Sequence, residues 1–136
     1  MKVRVATHGT LPTKAHAGDA GWDLYAPETI IVPAHGFSNR INLGVGFEIP
    51  AGYCGFVTER SSQGKNGVFS AGPCVDHGYT GDVHLTLGNM SDEDVVYQKG
   101  DRVAQLVVFP VFDEYLEESE ELSGDRGDKG HGSTGR

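Results

Sequence analysis

The stretch Ile-Asn-Leu-Gly-Val-Gly-Phe-Glu-Ile, residues 41–49, places an apolar side chain at every second position. That alternation is the period of a strand with one buried face. Residues 83–87 repeat it with Val83, Leu85 and Leu87. We predict strands in both stretches, and they decide the fold class of the chain.

Other runs of β-branched and aromatic residues flank these two stretches, with Gly, Pro, Asp and Asn turn signals between them. No segment sustains a helical pattern of apolar side chains over three turns, and we expect one short helix after Ser61-Ser62. Because 20 glycines punctuate many short strands, we predict an all-β sandwich, barrel or jelly roll. The further predicted strands are residues 3–5, 29–32, 53–58, 95–97 and 103–109.

The chain of 136 residues has the length of one domain followed by a tail. After Pro110 the composition becomes acidic, and from Ser123 onward it is rich in glycine and lacks large apolar side chains. Such a segment buries too little apolar surface to become ordered by itself. We predict a compact domain over residues 1–118 and a flexible C-terminal arm over residues 119–136.

Charge and composition exclude several classes of function. The net charge of −8 argues against binding to polymeric nucleic acid, which needs many Lys and Arg side chains. The absence of an apolar leader and of a spanning segment predicts a cytoplasmic protein without membrane contact. Cys54 and Cys74 are too few for a disulfide framework or a zinc site, so we expect two buried thiols.

Five short stretches stand out in the sequence, by their order as much as by their content. Each also has a plain structural interpretation, as a turn, a capped helix start, a hairpin turn, a turn into a strand or a glycine-rich tail. In the second stretch, an arginine beside two serines at a helix start suits a phosphate. In the last, glycines with Ser, Thr, Arg and Lys suit an anion. The stretches are residues 19–25, 59–65, 72–82, 100–106 and 126–135.

Taken together and in this order, the five stretches resemble the five motifs of the trimeric deoxyuridine triphosphatase (dUTPase) family. The resemblance implies a distorted jelly roll, or β-clip, that assembles as a homotrimer and builds each active site from three subunits. It also implies an enzyme that hydrolyses dUTP to dUMP and pyrophosphate with Mg²⁺. No regulatory protein partner can be named from the sequence.

The resemblance assigns roles to individual residues. Asp76 matches the base that activates water, and Asp23 matches the carboxylate that holds a water on the magnesium ion, itself bound mainly by the triphosphate. Tyr79 matches the ring under the deoxyribose, and backbone groups of residues 70–79 would read uracil. The remaining substrate contacts implied are Arg60, Ser61, Ser62, Ser70, Gln105, Arg126, His131, Gly132, Ser133 and Thr134.

Two alternatives remain on the sequence alone. A dCTP deaminase-like or bifunctional enzyme shares the implied fold, but that family uses a glutamate where this chain has Thr86. A nucleotide-sensing regulatory trimer would keep the nucleotide site without needing turnover. One departure from the family pattern concerns His131, which stands where most relatives have a phenylalanine that covers the base; an imidazole can still stack, over a smaller area.

Overall fold

The computed structural model describes residues 1–112 and 114–124. Within them, thirteen short strands and one five-residue helix are joined by turns. The predicted all-β fold class is therefore confirmed. The short helix expected after Ser61-Ser62 is present, but it begins at Ser61 itself. The elements are β1 (Lys2–Val5), β2 (Gly21–Tyr25), β3 (Ile30–Val32), β4 (Gly36–Phe37), β5 (Ile41–Asn42), β6 (Val45–Glu48), β7 (Tyr53–Thr58), α1 (Ser61–Lys65), β8 (Val68–Ser70), β9 (Cys74–Val75), β10 (His84–Leu85), β11 (Leu87–Asn89), β12 (Val95–Tyr97) and β13 (Arg102–Pro110).

The described strands pair in antiparallel fashion in five small sheets. The largest has the order β2-β13-β7-β9, and its centre is the nine-residue strand β13. A three-stranded sheet has the order β4-β11-β8, and the pairs β1-β6, β10-β5 and β12-β3 complete the set. Many neighbours in these sheets are distant in sequence, so residues from separate motifs are brought side by side.

One apolar core lies between the sheets. Every apolar residue of the two alternating stretches is buried in it, from Ile41 to Ile49 and from Val83 to Leu87. The periodicity thus predicted which side chains face the core. Burial of this apolar surface is the main favourable contribution to folding.

Residues 41–49 form two strands rather than the single strand predicted. The ladder breaks at Gly44, whose φ of +65° is a left-handed conformation that glycine adopts without strain. On one side of the break β5 pairs with β10, and on the other β6 pairs with β1. The backbone therefore changes partner at Gly44 while its apolar side chains continue to face the core.

The stretch 72–82 also departs from its prediction as part of a hairpin. β9 pairs with β7, whereas β10 pairs with β5. Of the residues between them, 76–82 form a turn that connects two different sheets. This turn carries the predicted base and the predicted sugar contact.

The expectation of two buried thiols is wrong. Cys54 is half-buried and Cys74 is exposed, because β9 is the edge strand of the four-stranded sheet. The partial desolvation of the Cys74 thiol, together with a hydrogen bond with Cys54, raises its pKa. A thiol with a raised pKa is protonated at neutral pH and is a poor nucleophile.

The last strand ends at Pro110, and the described residues beyond it contribute nothing to the core. Phe112, Tyr115 and Leu116 all have exposed side chains. The domain boundary at residue 118 remains a prediction. Among residues 1–112 and 114–124, no helix has the length and apolar character needed to cross a membrane.

Candidate active site

Asp23 lies in β2 with its side chain buried between two arginines. Its Oδ1 is 2.9 Å from Arg60 Nε, and its Oδ2 is 3.4 Å from Arg102 Nε. The Asp23 side chain is 12% exposed, against 29% for Arg60 and 44% for Arg102. A buried carboxylate needs such charged partners. These three residues, which we call the arginine cluster, present two partly exposed guanidinium groups to solvent.

The helix α1 fixes the backbone of Arg60. Arg60 is itself the N-cap residue, with extended angles of φ −86° and ψ 151°. Ser61 and Ser62 lie exposed in the first turn. The buried Gln63 side chain accepts a hydrogen bond from the Arg60 amide at 2.8 Å and donates to Val103 O at 2.8 Å. The start of the helix is thereby fastened to β13.

Gln105 interrupts the apolar run of β13 because it stands at the arginine cluster. It pairs with Asp23 of β2 on one side and with Thr58 of β7 on the other. Its Nε2 donates to Glu59 O at 2.9 Å. A Cβ at Gly21 would come within 2.3 Å of Gln105 Oε1, so this glycine makes room for the Gln105 side chain.

Asp76 and Tyr79 line a cavity of about 430 Å³, which we call the Tyr79 cavity. Both side chains are exposed, and Tyr79 OH donates to Asp82 O at 2.8 Å. The Tyr79 ring lies against Gly81, where an added Cβ would be 2.5 Å from the phenolic oxygen. A cavity of this volume suits a small molecule. Its other lining residues are Arg40, Ala71, Gly72, Pro73, Cys74, Val75, Asp82, Val83, His84, Leu85 and Thr86.

Ser70 does not line this cavity, although sequence analysis placed it near the base. It lies in β8, and its hydroxyl oxygen is buried without a hydrogen-bond partner among the described residues. The cavity wall begins one residue later, at Ala71. Thr86 does line the wall.

The arginine cluster and the Tyr79 cavity are separate within one chain. A second cavity of about 510 Å³ is lined by Arg60, Ser62 and Arg102, among others, and it shares no lining residue with the first. The structure thus brings Asp23 together with Arg60 and Gln105, and Asp76 together with Tyr79, but it does not join the two groups. The predicted arm contacts lie outside the described residues: Arg126, His131, Gly132, Ser133 and Thr134.

Sequence analysis overlooked Arg102 and Gln63. Arg102 stands in the fourth stretch, but its role depends on the register that places β13 beside β2. Gln63 carried a usable signal, since a glutamine three residues after a helix cap is the spacing of a capping box.

Glu59 is a half-buried carboxylate next to Arg60 in sequence. The described residues contain no preformed metal site. Hydrogen bonds from its own backbone amide and from that of Ser70 hold the pKa of Glu59 below its usual value, against the opposing effect of burial. Over residues 1–112 and 114–124, no three His, Cys, Asp or Glu side chains converge as a metal site. A divalent ion at this surface would need most of its ligands from elsewhere.

Comparison with known proteins identifies the family. The family profile described as dUTPase matches residues 7–135. The deoxyuridine 5'-triphosphate nucleotidohydrolase of Saccharomyces cerevisiae is 40% identical over 141 residues, covering 99% of this chain and 94% of the relative. That of Gloeobacter violaceus is 40% identical over 138 residues and covers 94% of both chains.

Solved structures agree with the sequence relatives. A single-residue mutant of the dUTPase of Staphylococcus bacteriophage 80alpha, with dUpNHpp, has a TM-score of 0.88 at 25% identity, covering 99% of this chain and 98% of that one. A dUTPase mutant from phage phi11 of S. aureus, described as revealing the coordination of a structural Mg(II) ion, has a TM-score of 0.78 at 25% identity, covering 89% and 97%. The fold is thus the jelly roll that the motifs implied. The chain belongs to the dUTPase family, and it is a hydrolase that acts on dUTP.

Proposed function

We propose that the enzyme splits dUTP by attack of water on the α-phosphorus, with Asp76 as the general base and Tyr79 as the floor beneath the sugar. The observation that carries this assignment is the Tyr79 cavity, where an exposed carboxylate and an aromatic ring share one wall. A general base must reach the attacking water directly. Asp76 is exposed there, whereas Asp23 is engaged by two arginines.

Recognition of uracil and deoxyribose fits the same cavity. Residues 71–75 form one wall. The Ala71 amide donates to Thr86 O, and Pro73 has no amide hydrogen while its oxygen accepts from the Val57 amide. The backbone groups of this wall that remain suit the hydrogen-bonding edge of a base. The Tyr79 ring leaves no room for a 2′-hydroxyl under the sugar, so it rejects ribonucleotides by steric exclusion. Ser70 lies immediately before this segment, and its buried hydroxyl does not take part in recognising the base.

The arginine cluster supplies the phosphate site. Arg60 and Arg102 present positive charge, and guanidinium groups bind phosphate oxygens well. Ser61 and Ser62 lie exposed in the adjacent helical turn, and Gln105 stands beside Asp23. Charge on the leaving pyrophosphate is neutralised here, opposite the base, as an in-line displacement requires.

Magnesium fits this donor set as a water-bridged ion. Each Asp23 oxygen contacts one arginine, and an ionised carboxylate still has further lone pairs with which to accept a hydrogen bond from a metal-bound water. Mg²⁺ commonly keeps several waters and takes its other ligands from substrate phosphates. When bound, the ion would polarise the phosphoryl oxygens and lower the barrier to displacement.

We further propose a homotrimer with shared active sites. The two groups of predicted site residues lie at separate cavities of one chain, so a complete site needs the Tyr79 cavity of one subunit beside the arginine cluster of another. The arm residues Arg126, Gly132, Ser133 and Thr134 would close over the phosphates, and His131 over the base. The glycines that let backbone amides approach an anion support this role.

Deamination is not favoured. Thr86 lines the Tyr79 cavity, and a threonine hydroxyl cannot replace the carboxylate that transfers protons in a deaminase. The carboxylates that line this cavity are Asp76 and Asp82, and Asp82 is paired with Arg4. A regulatory role would be additional to hydrolysis.

The test is incubation with each common deoxynucleoside triphosphate, and with UTP, in the presence of Mg²⁺. We expect dUTP alone to be hydrolysed efficiently, to dUMP and pyrophosphate in one step. Pyrophosphate and the nucleotide product are measured separately. Ammonia released from dCTP, or orthophosphate as the first product, would contradict the proposal.

A further inference from the structure

The turn 76–82 has little backbone support of its own. It lies between β9 and β10, which belong to different sheets. Within the turn, the Tyr79 amide donates to Asp76 O at a long 3.2 Å. Residues 76–80 are all exposed. The position of the Tyr79 ring therefore depends on contacts from outside the turn.

Arg4 of the N-terminal strand β1 supplies the first of these contacts. Its Nη2 donates to Thr80 O at 3.0 Å and lies 2.8 Å from Asp82 Oδ1. The contact with Asp82 is an ion pair between a guanidinium group and a carboxylate. One guanidinium group thus holds two points of the turn.

Asp82 connects this arginine to the Tyr79 ring. Its Oδ2 accepts a hydrogen bond from Asn42 Nδ2 at 3.1 Å, and its backbone oxygen accepts the Tyr79 hydroxyl at 2.8 Å. Arg4 and Asn42 lie on different strands, β1 and β5. Asp82 is therefore held from two sides, and it fixes the far end of the Tyr79 side chain.

Two more contacts seat the turn on β6 and the residue that follows it. A Cβ at Gly46 would be 2.8 Å from Gly81 O and 2.9 Å from Arg4 Nη2, so the glycine lets the turn approach the strand. At the other end, His77 Nδ1 lies 2.8 Å from Ile49 O, to which it donates as the Nδ1–H tautomer. The turn is thus anchored at both ends, with Arg4 at the end next to Tyr79.

We infer that Arg4 is a positioning residue for nucleotide selection: through Thr80 and Asp82 it holds the Tyr79 ring at the height that excludes a 2′-hydroxyl. This inference rests on the proposed role of Tyr79 as the sugar floor. A positioning error of about 1 Å is enough to change an enzyme's rate by up to roughly a hundredfold. Loss of Arg4 should therefore act on selectivity more than on folding, because Arg4 is an exposed residue on a two-stranded sheet.

The experiment compares Arg4→Gln with Lys2→Gln. Lys2 lies on the same strand and pairs with Glu48 at 3.2 Å, so its variant removes an equal charge from β1 without touching the turn. We measure the ratio of kcat/KM for dUTP to kcat/KM for UTP. Arg4→Gln should lower this ratio at least about tenfold, as expected when a positioned group moves. Lys2→Gln should leave it unchanged, and Arg4→Lys should restore part of it.

Tyr79→Ala separates the two proposals. If Tyr79→Ala keeps the parent ratio, the proposed role of Tyr79 as the sugar floor is wrong. Amide hydrogen exchange in residues 77–82 then tests by itself whether Arg4 holds the turn in place. Faster exchange there in Arg4→Gln, but not in Lys2→Gln, supports it. If Tyr79→Ala lowers the ratio while Arg4→Gln has the parent ratio and parent exchange, Arg4 does not position the turn. Should Arg4→Gln fold poorly, Asp82→Asn removes the same ion pair and the same outcomes apply.

Discussion

At the scale of single residues, the two aspartates proposed to act in catalysis differ in environment. Asp23 is buried between Arg60 and Arg102, whereas Asp76 is exposed at the Tyr79 cavity without an arginine or lysine partner among the described residues. We expect Asp76→Asn to keep nucleotide binding and to lower kcat by roughly 10²–10⁴, the usual loss on removing a general base. Steady-state kinetics and dUMP affinity measure the two effects separately. Parent-like turnover would mean that Asp76 is only a turn residue.

Asp82 gives a second prediction at this scale, which concerns how the free energy of unfolding depends on pH. A hydrogen bond from Asn42, followed in importance by the Arg4 guanidinium, holds the pKa of Asp82 below its ordinary 3.8, despite the opposing effect of burial. The Asp82 carboxylate therefore binds a proton more tightly in the unfolded chain than in the folded one. Its contribution to stability is complete above pH 3.8 and is lost as pH falls through the pKa of Asp82 in the folded state. The difference in free energy of unfolding between the parent and Asp82→Asn should therefore shrink in acid. Urea unfolding at fixed protein concentration measures it, and a difference that persists in acid would contradict the prediction.

The individual residues also show what a sequence can predict. The motif resemblance implied that Asp23 holds a magnesium-bound water and that Arg60 and Gln105 contact the substrate, and the structure places these three residues side by side. It could not identify Arg102 as the second partner of Asp23, because that pairing depends on which residues of β2 and β13 face each other. Arg4 and Asp82 are separated by most of the domain's sequence, so their contact produces no local sequence pattern at either residue.

At the scale of elements, the short helix α1 depends on Gln63. Its Nε2 donates to Tyr97 OH at 3.1 Å and to Val103 O at 2.8 Å, while its Oε1 accepts from the Arg60 amide. Gln63→Ala should lower the free energy of unfolding by at least about 2 kcal/mol, since each buried polar group left without a partner costs about 1–3 kcal/mol. Chemical denaturation measures the loss.

The matched control for Gln63→Ala is a substitution at the next residue that should not lower the free energy of unfolding. Gly64→Ala adds a Cβ that meets no atom within 4 Å, and alanine is favoured over glycine in a helix by about 0.5–1 kcal/mol. Gly64→Ala should therefore be neutral or stabilising. If both variants lose the same stability, the helix is sensitive to any change, and the hydrogen bonds of Gln63 are not the cause.

The strands show where periodicity stops being informative. Alternation in residues 41–49 correctly predicted the buried face, because burial depends on side-chain direction alone. It gave one strand instead of two, because the change of partner occurs in the backbone at Gly44. A glycine indicates that a strand can break at that position but not that it does. The strands that pair with β6 and β5, β1 and β10, lie far away in sequence. The local sequence thus determines which face of a strand is buried, whereas the partner of that strand depends on the whole chain.

At the scale of the whole molecule, the C-terminal arm is predicted to complete the site. Truncation before Ser123 should leave a folded protein that binds dUMP like the parent, since the described core ends at β13. Hydrolysis of dUTP should fall steeply, because Arg126, Ser133 and Thr134 would no longer neutralise the leaving group or exclude water. The measurement is kcat/KM for dUTP beside dUMP affinity. Full activity in the truncated enzyme would show that the arm is dispensable.

The assembly itself is tested by mixing two inactive variants. Arg60→Gln removes the phosphate side of the site and Asp76→Asn removes the base, and the two groups lie at separate cavities of one chain. If each site combines two subunits of a closed homotrimer, a refolded equal mixture places an intact Asp76 beside an intact Arg60 in about a quarter of sites. Activity should then rise to about a quarter of the parent value, with a trimeric mass by light scattering. The same mixture should stay inactive when the variants are combined without unfolding, because subunits have not exchanged. No recovery after refolding would mean that one chain supplies both groups, and a monomeric mass would exclude the shared site altogether.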